Sequence, residues 1–199
     1  MVTIRDRGRL PHSESAHACY FVTFRLADSL PKSVLRQIEL ERVDIVRTAE
    51  VMKRELSAGE QRRLIALTGA RIEEYLDAGT GSCFLGKPAV AEKIVRALKQ
   101  FEGARYQLFA WCVMPNHVHV VFQPLADHTL AGIVHGWKSY TAKEANRLLQ
   151  RTGVFWQREY YEHLVRDAPD LRRVVRYVLE NPKKAGLRDW PWVSAALAL

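Results

Sequence analysis

Two apolar runs, residues 105–113 and 117–122, are separated only by Met114-Pro115-Asn116, and nothing else in the chain restricts its fold so tightly. Proline presets one turn dihedral, and asparagine tolerates the left-handed region and bonds its own backbone. The runs therefore read as an antiparallel strand pair. The second run is Asn116-His117-Val118-His119-Val120-Val121-Phe122. Side chains alternate faces along a strand, so His117 and His119 share one face while Val118 and Val120 turn to the other, into a core. Two imidazoles on one face make half a metal site. The plainer reading is two histidines on a half-solvated strand.

The remaining segments supply partners for this pair. Cys19-Tyr-Phe-Val-Thr-Phe-Arg-Leu26 is rich in β-branched and aromatic residues and stops at Asp28-Ser29-Leu30-Pro31, so it reads as a strand. Helical spacing covers 31–56, 58–76 and 88–101, with Gly79-Thr-Gly-Ser82 breaking the chain before the last of these. Residues 129–149 are helical, 155–166 are mixed with a short strand at 163–166, and 170–181 are helical. Asn181-Pro182 is expected to end that helix, because a residue before proline is pushed out of the α region. This order predicts an α+β fold, an antiparallel sheet with helices packed on it. With 199 residues, 48% of them hydrophobic, the chain can bury one core. It divides into a flexible lead-in over 1–17, one domain over 18–192 and a tail over 193–199.

Thirty Lys plus Arg against 22 Asp plus Glu give a net charge of +8, which suits a polyanionic partner such as nucleic acid. Cys19, Cys83 and Cys112 are odd in number and lack CxxC spacing, which argues against a disulfide framework or a cysteine zinc site and fits a reducing cytoplasm. The N-terminus has charges but no apolar stretch after them, and no run approaches the roughly 20 residues of a membrane span. Secretion and membrane insertion are not expected.

In Arg173-Val-Val-Arg-Tyr177-Val-Leu-Glu-Asn181-Pro, Tyr177 and Asn181 stand four apart and present a phenol and an amide on one helical face. A lone tyrosine there is more often a core aromatic with its hydroxyl at the edge. Basic positions gather in the same half of the chain: Lys138, Lys143, Arg147, Arg151, Arg158, Arg166, Arg172, Arg173, Arg176, Lys183, Lys184 and Arg188. They form either a solvated face or a track for the backbone of single-stranded or hairpin DNA. Arg5, Arg7 and Arg9 are either an arm that reaches a groove or a tail.

Taken together, Met114-Pro-Asn-His-Val-His-Val, Tyr20-Phe-Val-Thr-Phe-Arg, Trp156-Gln-Arg-Glu-Tyr-Tyr-Glu-His163 and Arg176-Tyr-Val-Leu-Glu-Asn-Pro-Lys-Lys-Ala-Gly186 resemble the repeat-associated tyrosine transposases. These are relatives of the small single-tyrosine HUH transposases of insertion sequences. The resemblance spans roughly residues 18–192, with its pieces in family order. It implies a ferredoxin-like sheet with the HUH strand near its centre, His117 and His119 as metal ligands, and Tyr177 as the nucleophile. In the insertion-sequence relatives a glutamine four residues after the tyrosine completes the metal site. Here that place holds Asn181, which the resemblance makes the third ligand.

That set implies single-stranded DNA cleavage and strand transfer through a covalent 5'-phosphotyrosine, in transposition or mobilisation of repetitive palindromic elements. A phenol with a pKa near 10 is a poor nucleophile at neutral pH, and its target is anionic, so a divalent cation is expected to polarise the phosphate. Mixed nitrogen and amide-oxygen ligation suits Mg²⁺ or Mn²⁺. The protein would act as a monomer or a homodimer.

Tyr140, flanked by Lys138 and Lys143, is the rival nucleophile, but Glu144 stands four residues on, where an amide would be needed. Tyr160 and Tyr161 suit packing or base stacking. Two other functions compete. One is a DNA-hairpin-binding protein of the same fold that no longer cuts. The other is a small-molecule metalloenzyme of the cupin kind, which the long helices and net charge fit poorly.

Overall fold

A computed structural model of the chain describes residues 3–6, 11–14, 18–68, 70–125 and 127–196. Strands β1 (Thr3–Asp6) and β2 (Pro11–Glu14) pair antiparallel as a small separate sheet, so part of the expected flexible lead-in has regular backbone. Arg7 and Arg9 lie outside the described residues.

The main sheet contains β3 (Tyr20–Arg25), β4 (Tyr106–Val113), β5 (His117–Pro124), β6 (Tyr161–Leu164) and β7 (Val193–Ala195). Its order is β6-β3-β5-β4-β7, antiparallel throughout, which puts β5 in the middle. Helices α1 (Lys32–Val51), α2 (Ala58–Thr68), α3 (Ala70–Asp77) and α4 (Pro88–Lys99) join β3 to β4, and α5 (Leu130–Leu148) joins β5 to β6. With β6-β3-β5-β4 as neighbours, the first four of these strands form the ferredoxin-like arrangement. Helix α6 (Ala168–Lys184) and β7 follow, with β7 extending the sheet beyond β4.

Strand alternation sorts the two faces. Tyr20, Val22 and Phe24 of β3 and Val118, Val120 and Phe122 of β5 join one buried cluster with Ile94 and Leu98 of α4 and Ile133, Val134 and Trp137 of α5. Phe21 and Val121 point the other way, where Val174, Val175 and Val178 of α6 cover them. A register shift between Leu108 and Ala110 re-phases β4, so that Ala110 and Cys112 reach the α6 face while Leu108 and Trp111 stay on the first. Each fully buried valine of α6 contributes about 1.5–3 kcal/mol to holding the helix there.

The helix α6 starts where the local chemistry allows it. Asp167 caps it by accepting from the backbone N–H of Asp170 at 2.8 Å, Pro169 sits in the first turn, and Lys183 and Lys184 lie in the last.

Several boundaries differ from the sequence expectation. Pro182 does not stop α6 at Asn181: the helix runs to Lys184, because a proline in the last turn forfeits only one internal hydrogen bond. Backbone bonds from Ala185 to the Asn181 carbonyl and from Leu187 to the Pro182 carbonyl close the end. The single helix expected over 58–76 is split into α2 and α3 around Gly69, which is itself outside the described residues. The strand expected at 163–166 lies at Tyr161–Leu164. Val193–Ala195, expected in a tail, pairs with Ala110–Cys112 through backbone bonds that carry no side-chain pattern.

Candidate active site

The two histidines lie on the central strand, on the face that α6 covers. Across the β3–β5 ladder His119 stands opposite Thr23 and His117 opposite Arg25. Both rings are buried, and their Nε2 atoms are 2.9 Å apart. Burial holds His119 down to about 3, and burial followed by the neighbouring His119 holds His117 well below the usual histidine range, so both are neutral at pH 7.

A chain of hydrogen bonds sets their tautomers. Asn116 donates from Nδ2 to the Thr80 carbonyl at 3.0 Å, which turns its Oδ1 toward His117. That oxygen only accepts, so Nδ1–H of His117 donates to it at 2.7 Å and leaves a lone pair on Nε2. Nε2–H of His119 then donates to His117, and the Thr23 hydroxyl donates to Nδ1 of His119 at 2.8 Å. Because a hydroxyl serves equally as acceptor, Thr23 also suits the other His119 tautomer, in which both Nε2 lone pairs are exposed to the same point.

Tyr177 comes down from α6. Its ring meets His119 edge-on at 5.4 Å and Phe21 at 5.7 Å, and the Lys184 ammonium lies 5.0 Å from the ring centre. The buried Tyr177 hydroxyl and the buried Oδ1 and Nδ2 of Asn181 one turn further on make no hydrogen bond of good geometry, although Glu73 and Asn181 both lie near enough to the hydroxyl to act on its proton. Burial pushes the Tyr177 phenol well above its usual range, and the carboxylates of Glu73 and Asp77 on α3 add to the shift. Burial likewise raises both carboxyls, opposed at Glu73 first by the Tyr177 hydroxyl and at both by Lys184.

Buried polar atoms without a well-formed hydrogen bond are costly, about 1–3 kcal/mol each, and three of them belong to Tyr177 and Asn181 on one face of α6. Among the described residues no cluster of three or more His, Cys, Asp or Glu side chains is placed to hold a cation. By type, two neutral imidazoles and the Asn181 amide oxygen are donors that a divalent cation accepts.

The basic residues divide between the two sides of the sheet. Arg172, Arg173, Arg176, Lys183 and Lys184 are exposed on the Tyr177 helix, with Arg173 tied to Asp170 and Lys184 lying 3.9 Å from Glu180. Lys138 and Lys143 belong to α5, which packs on the opposite face, so they do not join the Tyr177 cluster as the sequence suggests. The reason is the crossover of α5, which sequence spacing does not display. Lys138 donates to the Arg158 carbonyl at 2.6 Å, and burial lowers it to about 8. The Arg158 side chain is exposed. Tyr140 is also on α5, away from both histidines, and it is exposed. Tyr160 is buried in the α4–α5 cluster, and Tyr161 packs edge-on against Phe21.

Residues 87–181 match the family described as Transposase IS200 like. The likeness is to the IS200-like transposases. The matched span holds His117, His119, Tyr177 and Asn181. Over 103 residues, 45% of this chain, it is 31% identical to a Haemophilus influenzae protein provisionally named a REP-associated tyrosine transposase. It is 27% identical over 92 residues to the REP-associated tyrosine transposase of Escherichia coli K12. These matches span 58% and 53% of the two transposases, little more than half of each. The solved structure of a REP-associated tyrosine transposase bound to a REP hairpin aligns over 90% of this chain and 77% of its own, at 17% identity and a TM-score of 0.49. Among the described residues no helix is long and apolar enough to cross a membrane.

Sequence reasoning missed Thr23, Asn116, Arg25 and the α3 carboxylates. The signal for the first and third was present: in Tyr20-Phe-Val-Thr-Phe-Arg25 the polar side chains fall on one parity, the face that Phe21 shares with the histidines.

Proposed function

We propose that the chain cleaves and rejoins single strands of DNA, with Tyr177 as the nucleophile and His117, His119 and Asn181 as the holders of Mg²⁺ or Mn²⁺. What carries this reading is the Tyr177 ring set edge-on against a neutral His119 that is itself paired with a neutral His117, with the Asn181 amide one turn along beside the phenol. The tyrosine transposase names of the relatives support it. A bound divalent cation would polarise the scissile phosphate and neutralise its developing charge.

The residues of the chain do the rest. Tyr177 Oη bonds to phosphorus, its proton leaves for a neighbouring acceptor, the P–O3' bond breaks, and the departing 3' oxygen takes up a proton. The bond stored on Tyr177 lets another 3'-hydroxyl reverse the step without a cofactor. Phe21 and the three valines of α6 fix the phenol against His119 and keep water off it. The exposed Arg172, Arg176 and Lys183 on the same helix offer phosphate contacts along the approach.

One observation favours a second reading, a hairpin-binding protein that does not cut. His117 is 1% exposed and His119 0%, so the site as it stands is closed to a phosphodiester. A single experiment separates the two. The protein is incubated with Mn²⁺ and a single-stranded hairpin oligonucleotide copied from the palindromes flanking its own gene, and the adduct is digested for mass spectrometry. Oligonucleotide on the Tyr177 peptide establishes cleavage. Tight binding with no adduct selects the second reading, and an adduct on Tyr140 moves the nucleophile.

A further inference from the structure

Arg25 is the last residue of β3 and faces the same side as Thr23 and His117, yet it is only 9% exposed. A guanidinium carries five N–H donors. Its Nη1 donates to the Ser29 hydroxyl oxygen at 3.1 Å, while the Ser29 hydrogen is given to the Leu26 carbonyl. Among the described residues no carboxylate forms an ion pair with it. Burial lowers Arg25 to about 10, which leaves it charged at neutral pH. A charge taken out of water without a counterion is strongly disfavoured, so such arginines are kept where an anion arrives.

The space beside it is lined by apolar side chains of α1 and α3, Ile38, Ile72 and Leu76 among them, with cations at its edge. A cavity of about 350 Å³ lies between the sheet, α1 and α3, with Thr23 and Arg25 lining it from β3 and Arg36 and Arg42 from α1. Glu39 and Glu159 line it too, Glu39 at 3.9 Å from Arg42 and Glu159 at 4.0 Å from Arg158, so Arg42 is shared between a carboxylate and the cavity edge. The volume is at the lower end for small-ligand pockets, room for a phosphate and its sugar. The cavity also adjoins the histidine pair. Thr23 holds His119 at 2.8 Å, and Arg25 is the direct cross-strand neighbour of His117. Neighbours of that kind have Cβ atoms about 5 Å apart. A strand with one phosphate at the histidines therefore brings a flanking phosphate of the same strand to Arg25, whose planar fork matches two phosphate oxygens.

We propose that this cavity is the receptor for a backbone phosphate flanking the scissile one, with Arg25 as its anion-binding group and Arg36 and Arg42 as its rim. The assignment rests on the DNA-processing reading and adds to it where the strand is gripped. It makes Arg25 a determinant of strand register: the residue selects which phosphate reaches Tyr177.

The test uses the full chain carrying Tyr177→Phe, so that binding is read without cutting. Hairpin oligonucleotides are prepared with each phosphate near the cleavage position replaced in turn by a neutral methylphosphonate, and Kd is measured for each with and without Arg25→Gln. One linkage is expected to lose at least about tenfold in affinity with Arg25 present and to lose almost nothing further in Arg25→Gln, with Arg25→Lys intermediate. If every linkage costs the same in both proteins, the proposal is overturned. Thermal midpoints check folding. Should Arg25→Gln not fold, the guanidinium ¹⁵Nε resonance of Arg25 in the otherwise unaltered Tyr177→Phe chain must move with the native oligonucleotide and stay put with the one methylphosphonate that weakens binding. No selective response of that resonance also overturns the proposal. A third arm adds millimolar inorganic phosphate. If it displaces only the contact at that linkage, it occupies the same receptor. If it shifts Arg25 while the oligonucleotide does not, the cavity is a free-anion site and the DNA assignment falls. Absence of a covalent adduct in the unsubstituted protein, with the Arg25 coupling intact, removes the cleavage reading and leaves the receptor standing. No affinity for any oligonucleotide removes both.

Discussion

Nε2 of His117 and Nε2 of His119 face each other at 2.9 Å, each ring held from behind, by Asn116 and by Thr23. With a cation between them the contact becomes chelation, and binding to the folded state alone must then stabilise it. At a Mn²⁺ concentration about 100 times Kd the gain is about 2.7 kcal/mol, which for a chain of this size is roughly 5–10 °C in Tm. Calorimetric scans should show that rise in the unaltered protein and not in His117→Ala/His119→Ala. An equal rise in both would put the cation elsewhere.

The Thr23 hydroxyl must accept from Nδ1–H of His119 once Nε2 of that ring is engaged. Thr23→Val keeps the shape and removes the acceptor, so Mn²⁺ affinity should fall about 10- to 100-fold by titration calorimetry. Thr23→Ser should restore most of it. Unchanged affinity in Thr23→Val would mean that the strand backbone alone orients His119.

Tyr177→Phe deletes a buried hydroxyl that makes no hydrogen bond of good geometry. The substituted protein should be as stable as the parent or gain about 1 kcal/mol in urea unfolding, while forming no adduct with DNA. A loss of more than about 1 kcal/mol would show that the hydroxyl is bonded in the folded protein and is structural.

Asp170 joins β6 to the start of α6. Burial alone would raise its pKa, but hydrogen bonds from His163, Arg173 and the Arg166 backbone outweigh it and bring the carboxyl down to about 2. With the folded value below the unfolded value near 3.9, the unfolded chain binds the proton first as pH falls. The stabilisation from Asp170 is therefore complete above about pH 4 and drains away between there and about pH 2. Since Arg173 is largely exposed, Asp170→Asn should cost only about 1–2 kcal/mol at pH 7. The gap between the two proteins in urea unfolding should close over that acid window. A gap independent of pH down to 2 would contradict the ion-pair account.

The hairpin of β4 and β5 was legible because one turn signal and one strict alternation specified both the pairing and the face of each histidine. Tyr177 and Asn181 were legible for the same reason, helical spacing over an apolar stripe of valines. What spacing could not show was the handedness of crossovers. Lys138, Lys143 and Tyr140 look close to Tyr177 along the chain, yet α5 crosses to the other face. Nor does composition reveal β7, whose three residues pair through backbone alone, or the course of α6 past Pro182, which a rule for helix interiors overstates near a terminus. Thr23 and Arg25 were visible as residues but not as neighbours, because the partner of β3 is set by tertiary pairing with β5, far along the sequence.

The central position of β5 has a kinetic consequence. Paired with β3 on one side and β4 on the other, its amides are covered by two ladders, so slow hydrogen exchange is expected around the histidines. Tyr177 rides on a helix held to that sheet mainly by Val174, Val175 and Val178, and such a contact opens sub-globally at lower free energy. If Tyr177 is the nucleophile proposed above, a strand end joined to it would be carried by the separately opening helix while the histidines stayed with the sheet.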